Sequence, residues 1–408
     1  MIMQIKDNTT LQIFLAMILG MIAGVILPKL MVELKFIGDI FLRLIQMGII
    51  LLVMGSVIEA IGSLKRKEIG NLGIKALIGF ATTTIIAAIV GIIIANIIQP
   101  GMGINYTQEL VTSVKATDKT AAQIITDFFP SNVIASISSG STIQVIVFAI
   151  LAGLAISIIS ETNPNNTFLN NIKSLNEVLL QIIKLVMKIA PLGIFCLLGW
   201  VIGYYGIEVI FPLFKFLLAF AIGMVLILAV FISITATVVK VSPFKLLKKL
   251  LRMGVMAFTT TSSAITLPTK MEDAEERIGV SKRVSRLINP LGMSLNSDGL
   301  AIYLALACLT TAQFFGIEMS IQQQFIVVIM STLATLGTVT VPGGGLVALA
   351  IVLPAVGLPI EGVALLAGID WFSGMFRTVL NVIDDVLVAL LVAHSENEFD
   401  REIFDNTL

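Results

Sequence analysis

The residues best equipped for chemistry lie in two stretches of an otherwise apolar chain. One is Asn296-Ser297-Asp298-Gly299, inside the apolar run from about Leu287 to Phe315. The other spans about 361–393 and carries Asp370, Arg377, Thr378, Asn381, Asp384 and Asp385. At ~100° per residue these six side chains fall within one arc of about 120°, and the rest of that helix is apolar. Residues 362–369 and 386–393 carry no charge, so the stripe is no solvated face; it must look onto a protein interior or a watery cavity. Arg377 is its only base, and a planar guanidinium suits a carboxylate. Asp298 and Asp385, with Asn296, Asn381 and backbone carbonyls, offer hard oxygens, which bind small hard cations rather than zinc or copper. Na⁺ fits better than Ca²⁺ in a site that must release its ion each cycle. An anion and cations held together are what a symporter needs.

The elements that hold these residues follow from composition. Of 408 residues 57% are apolar and 13% charged, against about 25% charged in ordinary soluble domains. With 26 Lys plus Arg against 26 Asp plus Glu there is no basic excess to meet phosphates, so no nucleic-acid partner is expected. A disordered chain and a soluble enzyme are excluded on the same grounds. A multi-pass protein of the lipid bilayer remains, since a spanning helix needs about 20 apolar residues. Cys196 and Cys308 lie inside apolar runs and form neither a disulfide framework nor a metal spacing. The polar start, Met1 to Thr10, has no small-residue cleavage site after it, and no removable signal peptide is expected.

Uncharged runs place the spans at Leu11 to Pro28, 40–62, Ala76 to Pro100, Asn132 to Ser160, 176–203 (with Lys184 and Lys188) and Phe216 to Val239. The polar linker 101–129 reads as an external excursion. Lys65, Arg66 and Lys67, then Lys240 to Arg252, then Lys282, Arg283 and Arg286 form basic clusters that put both termini in the cytoplasm. Between Arg252 and Lys270 lie only 17 uncharged residues, with bases on both flanks. Two spans do not fit, and one would exit on the wrong side. A re-entrant hairpin does fit, its tip at Thr259-Thr260-Thr261-Ser262-Ser263, because non-helical backbone at membrane depth is tolerated where it is buried in protein or lines a cavity. Met319 to Ile360 is 42 residues without a charge, centred on Gly337-Thr338 and Val341-Pro342-Gly343-Gly344-Gly345. It is either two short spans or a second re-entrant hairpin from the other side. Two broken segments of this kind suggest inverted repeats meeting at a midplane site.

Several motifs in order resemble the dicarboxylate/amino acid:cation symporters, which include the glutamate transporters. Thr261-Ser262-Ser263-Ala264 with Leu267-Pro268 is similar to that family's first hairpin tip. Asn296-Ser297-Asp298-Gly299 resembles its Asn-Met-Asp-Gly. Gly337-Thr338 with Val341-Pro342-Gly343 resembles the second tip, and Arg377-Thr378-Val379-Leu380-Asn381-Val382 with Asp385 the final-helix signature. The resemblance covers essentially the whole chain. It implies an all-α integral membrane protein of eight transmembrane helices plus two re-entrant hairpins, a homotrimer with elevator-type alternating access. Residues 1–70 and 101–205 would form the scaffold, the latter including the external linker. Residues 71–100 and 206–394 would form the moving transport domain, and 395–408 a cytoplasmic tail of this cell (inner) membrane protein.

The resemblance also implies the ligands. Asp385, Asn381, Asn296 and the Gly292 carbonyl would hold one Na⁺. Asp298, Asn296, Thr83 and Thr84 would hold a second, where the family often adds a Tyr and this chain has Phe80. Carbonyls of Ser294, Thr335, Leu336 and Thr338 would hold a third. Arg377 would clamp the carboxylate of a small anionic substrate, with Ser262 and Ser263, Asn381, Thr378 and the Val341 and Gly345 backbone completing the site. Two departures bear on the substrate: the acid that receives an amino group is Gly374 here, and the Thr after Asp-Gly is Leu300. Loss of a charge-assisted partner for an ammonium is worth roughly 1.5–3 kcal/mol. The expected function is therefore Na⁺-coupled import of an acidic amino acid or a C4-type dicarboxylate, with no organic cofactor and no catalysis. Proton coupling in the same family is the nearest alternative. An intramembrane aspartyl protease needs two carboxylates sharing a proton, and gives Arg377 and the hairpins no role. A passive channel is opposed by Asp298 and Asp385 beside Arg377.

Overall fold

The computed structural model describes residues 9–63, 66–102, 126, 128–163, 167–337 and 344–407. Lys65, most of the linker 101–129, Thr338, Val341, Pro342 and Gly343 lie outside them. Among the described residues the regular elements are helices, and an isolated bridge joins Val280 to Phe399. In chain order they are α1 (Thr9–Ile26), α2 (Pro28–Glu33), α3 (Lys35–Gly62), α4 (Arg66–Ile98), α5 (Val133–Ser139), α6 (Thr142–Thr162), α7 (Phe168–Met187), α8 (Ala190–Tyr205) and α9 (Ile210–Val239). There follow α10 (Pro243–Thr260), α11 (Ser263–Glu272), α12 (Lys282–Leu295), α13 (Asp298–Phe314), α14 (Ile321–Gly337), α15 (Gly344–Ala355), α16 (Glu361–Ala367), α17 (Asp370–Ser395) and α18 (Arg401–Asn406). Leu72–Ile98 in α4, all of α9, and Lys282–Phe314 across α12 and α13 are long and apolar enough to cross a bilayer.

Four runs expected as single spans are broken. Residues 132–160 divide into α5 and α6, because Gly140, at φ 77°, ends α5 in the left-handed region that glycine adopts without strain. Residues 176–203 belong to α7 and α8, which meet at 56°. The run 287–315 is interrupted where Asn296 takes extended backbone, φ −114° and ψ 124°, and Ser297 leaves the helical region at φ −145° and ψ 62°. The last run is interrupted at Gly368 and Ile369, between α16 and α17.

The first hairpin is capped at every turn. Ser242 accepts from the Lys245 amide with Pro243 at the first helical position, which starts α10. Thr261, at φ 49°, ends it, and the Ser262 hydroxyl accepts from the Ile265 amide to start α11. The two arms therefore reverse within two residues.

α13 is the centre of the packing. Every residue in it except Gln313 is buried, as an all-round apolar helix requires. It packs against α4, α9, α14, α15 and α17, while α17 also meets α10, α11 and α12. A second set forms around α8, which packs on α1, α2 and α3, with α3 also against α6 and α7.

Candidate functional site

The breaks at 296–297 and 368–369 bring the polar residues of α12, α13 and α17 together with those of α4 and α11. Asp298 opens α13, and its Oδ1 accepts from the Thr84 hydroxyl of α4 at 2.6 Å. The Thr84 hydroxyl also lies 3.0 Å from Asn296 Oδ1. Asn296 Nδ2 donates to Asp384 Oδ2 at 3.0 Å and to Asp385 Oδ1 at 3.1 Å. Asp385 Oδ2 accepts from Lys270 Nζ at 2.6 Å, and the same ammonium donates to the Asn289 carbonyl at 3.2 Å. Asn381 Oδ1 accepts from the Gly299 amide at 2.8 Å, at the open end of α13. Thr83 donates to the Phe80 carbonyl at 3.1 Å and also faces Asp298 and Asp384.

This cluster is buried: Asp298, Asp385 and Lys270 are 0% exposed, Asp384 and Asn296 1%. Three carboxylates, Asp298, Asp384 and Asp385, face one ammonium, Lys270, which leaves an excess of negative charge. Buried charge of that kind needs a bound cation or a proton to balance it. Asp298 Oδ2 and Asp384 Oδ1 are the buried carboxylate oxygens here that lack a hydrogen-bond partner among the described residues, so hard-oxygen capacity for a cation remains.

Two residues of this cluster depart from expectation. Lys270 is no exposed flank of the hairpin; it lies at the core of the site, and Glu272 and Arg277 follow it at the surface end. Asp384 stands on the α17 stripe but had no ligand role, and it joins the cluster through Asn296. A signal for Lys270 was present. Ser263, Thr266, Lys270 and Asp273 recur at helical spacing and are all buried, so α11 carries a polar stripe like that of α17. Asp385, expected as a sodium ligand, has both oxygens engaged by chain donors.

The second group of residues surrounds Arg377. Arg377 is 9% exposed, its Nη2 lies 3.0 Å from Asp370 Oδ1, and its guanidinium carbon sits 4.5 Å from the centre of the Tyr303 ring. Nη1 is buried without a partner among the described residues. Gly345, at the start of α15, abuts it so closely that a Cβ there would collide with Arg377 Nη1 and Asp370 Oδ1. Gly299 likewise meets the Arg377 backbone where a Cβ would collide. Thr378 donates to the Gly374 carbonyl at 2.8 Å, and a Cβ on Gly374 would lie 3.3 Å from Arg377 Nη2. Ser263 and Leu300 are buried. The Ser262 hydroxyl serves as the α11 cap.

The remaining expected ligands are scattered more loosely. The Gly292 carbonyl accepts from the Asn296 amide at 2.8 Å, and a side chain at Gly292 would collide with Asp385 Oδ1. Ser294 is exposed and donates to the Pro290 carbonyl at 3.2 Å. Thr335 donates to the Thr332 carbonyl at 2.6 Å, and α12 touches α14. Of the third expected set, Thr338 and the Leu336 side chain lie outside what is described.

Comparison with known proteins agrees over nearly the full length. The sodium:dicarboxylate symporter family model matches residues 9–395. A proton/glutamate-aspartate symporter of Bacillus subtilis is 33% identical over 404 residues, 97% of each chain. A proton/sodium-glutamate symport protein of Bacillus caldotenax is 34% identical, over 97% of this chain and 96% of the relative. A C4-dicarboxylate transport protein of Bacillus subtilis is 32% identical, over 98% and 96%.

Proposed function

The chain belongs to the sodium:dicarboxylate symporter family, and from that premise we propose that it imports a small dicarboxylate together with Na⁺. It is a membrane transporter and not an enzyme. The observation that carries the substrate class is Arg377 Nη1, a buried guanidinium nitrogen left without a partner among the described residues while Nη2 is taken by Asp370. An incoming carboxylate satisfies it with a charge-assisted bond in a dry site, where such bonds are strongest. Gly374 leaves no acid beside Thr378 to receive an ammonium, and the charge of Asp370 is balanced by the Arg377 guanidinium 3.0 Å away, although its Oδ1 has no hydrogen-bond partner among the described residues. We therefore favour amine-free C4-type dicarboxylates over acidic amino acids.

Hard oxygens of Asp298, Asn296 and Thr84 favour Na⁺ as the coupling ion. The relatives named above include both proton- and sodium-coupled proteins. For the architecture we propose eight spans, two re-entrant hairpins and an elevator motion of a homotrimer. The α9–α17 set with α4 would move against the set around α8, with the boundaries 1–70, 71–100, 101–205, 206–394 and 395–408. The two sets pack mainly within themselves, meeting chiefly where α3 touches α14 and α15 and α8 touches α16, which supports that division. We place the termini in the cytoplasm at the cell membrane. Support comes from the basic end of the first hairpin, where Lys249 donates to the Arg277 and Thr407 carbonyls, both at 2.7 Å.

The test is competition in proteoliposomes. Unlabelled succinate, fumarate, malate, aspartate and glutamate are added against labelled succinate under an inward sodium gradient. Stronger inhibition by succinate and fumarate than by aspartate and glutamate is expected. Inhibition by the amino acids at lower concentrations than succinate refutes the amine argument.

A further inference from the structure

We propose that Lys270 is a tethered cation that permanently fills the seat at Asp385, and that the mobile coupling cation is held instead between Asp298 Oδ2 and Asp384 Oδ1. The inference rests on the cation-coupled reading above and goes beyond it by naming which carboxylates carry the ion.

Asp385 has two oxygens and each already accepts a hydrogen bond from the chain: Oδ2 from the Lys270 ammonium at 2.6 Å, which balances its charge, and Oδ1 from Asn296 Nδ2 at 3.1 Å. A sodium ion there would meet a like charge on one side and an N–H donor on the other. Lys270 is 0% exposed. A compact ammonium pays a large desolvation penalty unless a carboxylate and further acceptors surround it. The Asn289 carbonyl supplies a second acceptor at 3.2 Å. The ammonium is thus built in, not passing through.

The neighbouring pair is the reverse. Asp298 and Asp384 each have one oxygen satisfied, by Thr84 at 2.6 Å and by Asn296 at 3.0 Å respectively. Each has its other oxygen buried and without a hydrogen-bond partner among the described residues. The two side chains lie within interaction range of each other, with Thr83 facing both. Two carboxylate oxygens facing each other in a buried site repel strongly unless a cation stands between them or one carboxyl holds a proton, and we assign the cation. Asn296 links the two seats, donating to Asp384 and Asp385 at once. Lys270 and Asp384 therefore work as a matched pair: one adds a positive charge at Asp385, the other adds a negative charge beside Asp298, and the ion shifts by one carboxylate along α17.

The test is ion stoichiometry in proteoliposomes of the full chain, from parallel uptake of ²²Na⁺ and labelled succinate. Lys270→Met should carry one more Na⁺ per substrate than the wild type, because the vacated Asp385 accepts an ion. Asp384→Asn should raise the half-saturating sodium concentration by about tenfold or more. Should Lys270→Met fail to fold with Asp385 left unpaired, Lys270→Met/Asp385→Asn decides. A wild-type ratio in that double variant supports the assignment, and one Na⁺ fewer overturns it. An unchanged ratio in assembled Lys270→Met, or an unchanged half-saturation in Asp384→Asn, also overturns it. A wild-type protein whose uptake ignores sodium refutes the coupling reading of the preceding subsection and this inference with it. Sodium dependence with the wrong variant outcomes refutes only the assignment.

Discussion

Arg377→Lys separates substrate binding from ion binding. The substitution keeps a positive charge opposite Asp370 and above the Tyr303 ring, so the buried carboxylate is not orphaned. Arg377→Ala would orphan it, and breaking a buried pair costs about 3–5 kcal/mol. What Lys cannot reproduce is the second arm of the fork, and the arm at stake is Nη1, the nitrogen without a partner beside Gly345. One charge-assisted hydrogen bond is worth roughly 1.5–3 kcal/mol. At about 1.4 kcal/mol per decade this is a loss of roughly 10- to 150-fold in substrate affinity. Asp384 lies seven residues further along α17, ~10 Å at ~1.5 Å per residue, and Lys keeps the positive charge at that distance, so sodium binding without substrate should change little. The assay is a pair of thermal-shift or calorimetric titrations on purified protein, sodium alone and then succinate at saturating sodium. Unchanged succinate affinity would show that Arg377 only braces Asp370. An equal loss of sodium affinity would show a structural role for the whole stripe.

Gly345→Ala places a methyl group against Arg377 Nη1 and Asp370 Oδ1, and overpacking of this kind costs about 1–3 kcal/mol; substrate affinity should fall about tenfold, and wild-type affinity would remove Gly345 from the site. Gly374→Asp adds an acid near Arg377 Nη2 and should shift competition toward aspartate and away from succinate; no shift in the inhibition ratio counts against the amine argument. At the surface end of the first hairpin, burial outweighs the attraction of Arg252 and Arg277 and holds the Asp273 carboxyl above its ordinary value. A carboxyl raised on folding favours the neutral form, so its stabilisation is full below the unfolded value of about 3.9 and is lost as pH rises through the folded one. Asp273→Asn should therefore leave the melting temperature at pH 7 unchanged or higher and flatten its rise on acidification; a marked fall at pH 7 refutes this.

Much of the site was readable because charge is scarce in this chain. Asp298 and the α17 stripe stood out against apolar neighbours, and helical spacing alone brought Asp370, Arg377, Asn381, Asp384 and Asp385 to one face. The partners across elements were not readable. Which oxygen meets which donor depends on how α4, α11 and α12 approach α17, and no periodicity records that. Lys270 shows the cost. Its position after an apolar run made it look like a membrane-flanking base, yet it shares a buried stripe with Ser263 and Thr266. The helix breaks were partly hidden too. Gly140 signals one, but Asn296-Ser297 and Gly368-Ile369 lie in runs whose hydropathy continues across them; Asn296 turns extended while Gly368 and Ile369 stay near helical angles, and Asn381 holds the Gly299 amide just after the first of these breaks. The hairpin tip at Thr261-Ser262 was legible for a local reason, since a cap residue announces itself by type.

The central claim is that a sodium gradient drives dicarboxylate uphill. Proteoliposomes with equal pH on both sides, loaded without sodium and diluted into sodium with labelled succinate, test it directly. The account predicts accumulation above the external concentration, collapsing when a sodium ionophore is added. Accumulation that ignores the sodium gradient and follows an imposed pH gradient alone would contradict it.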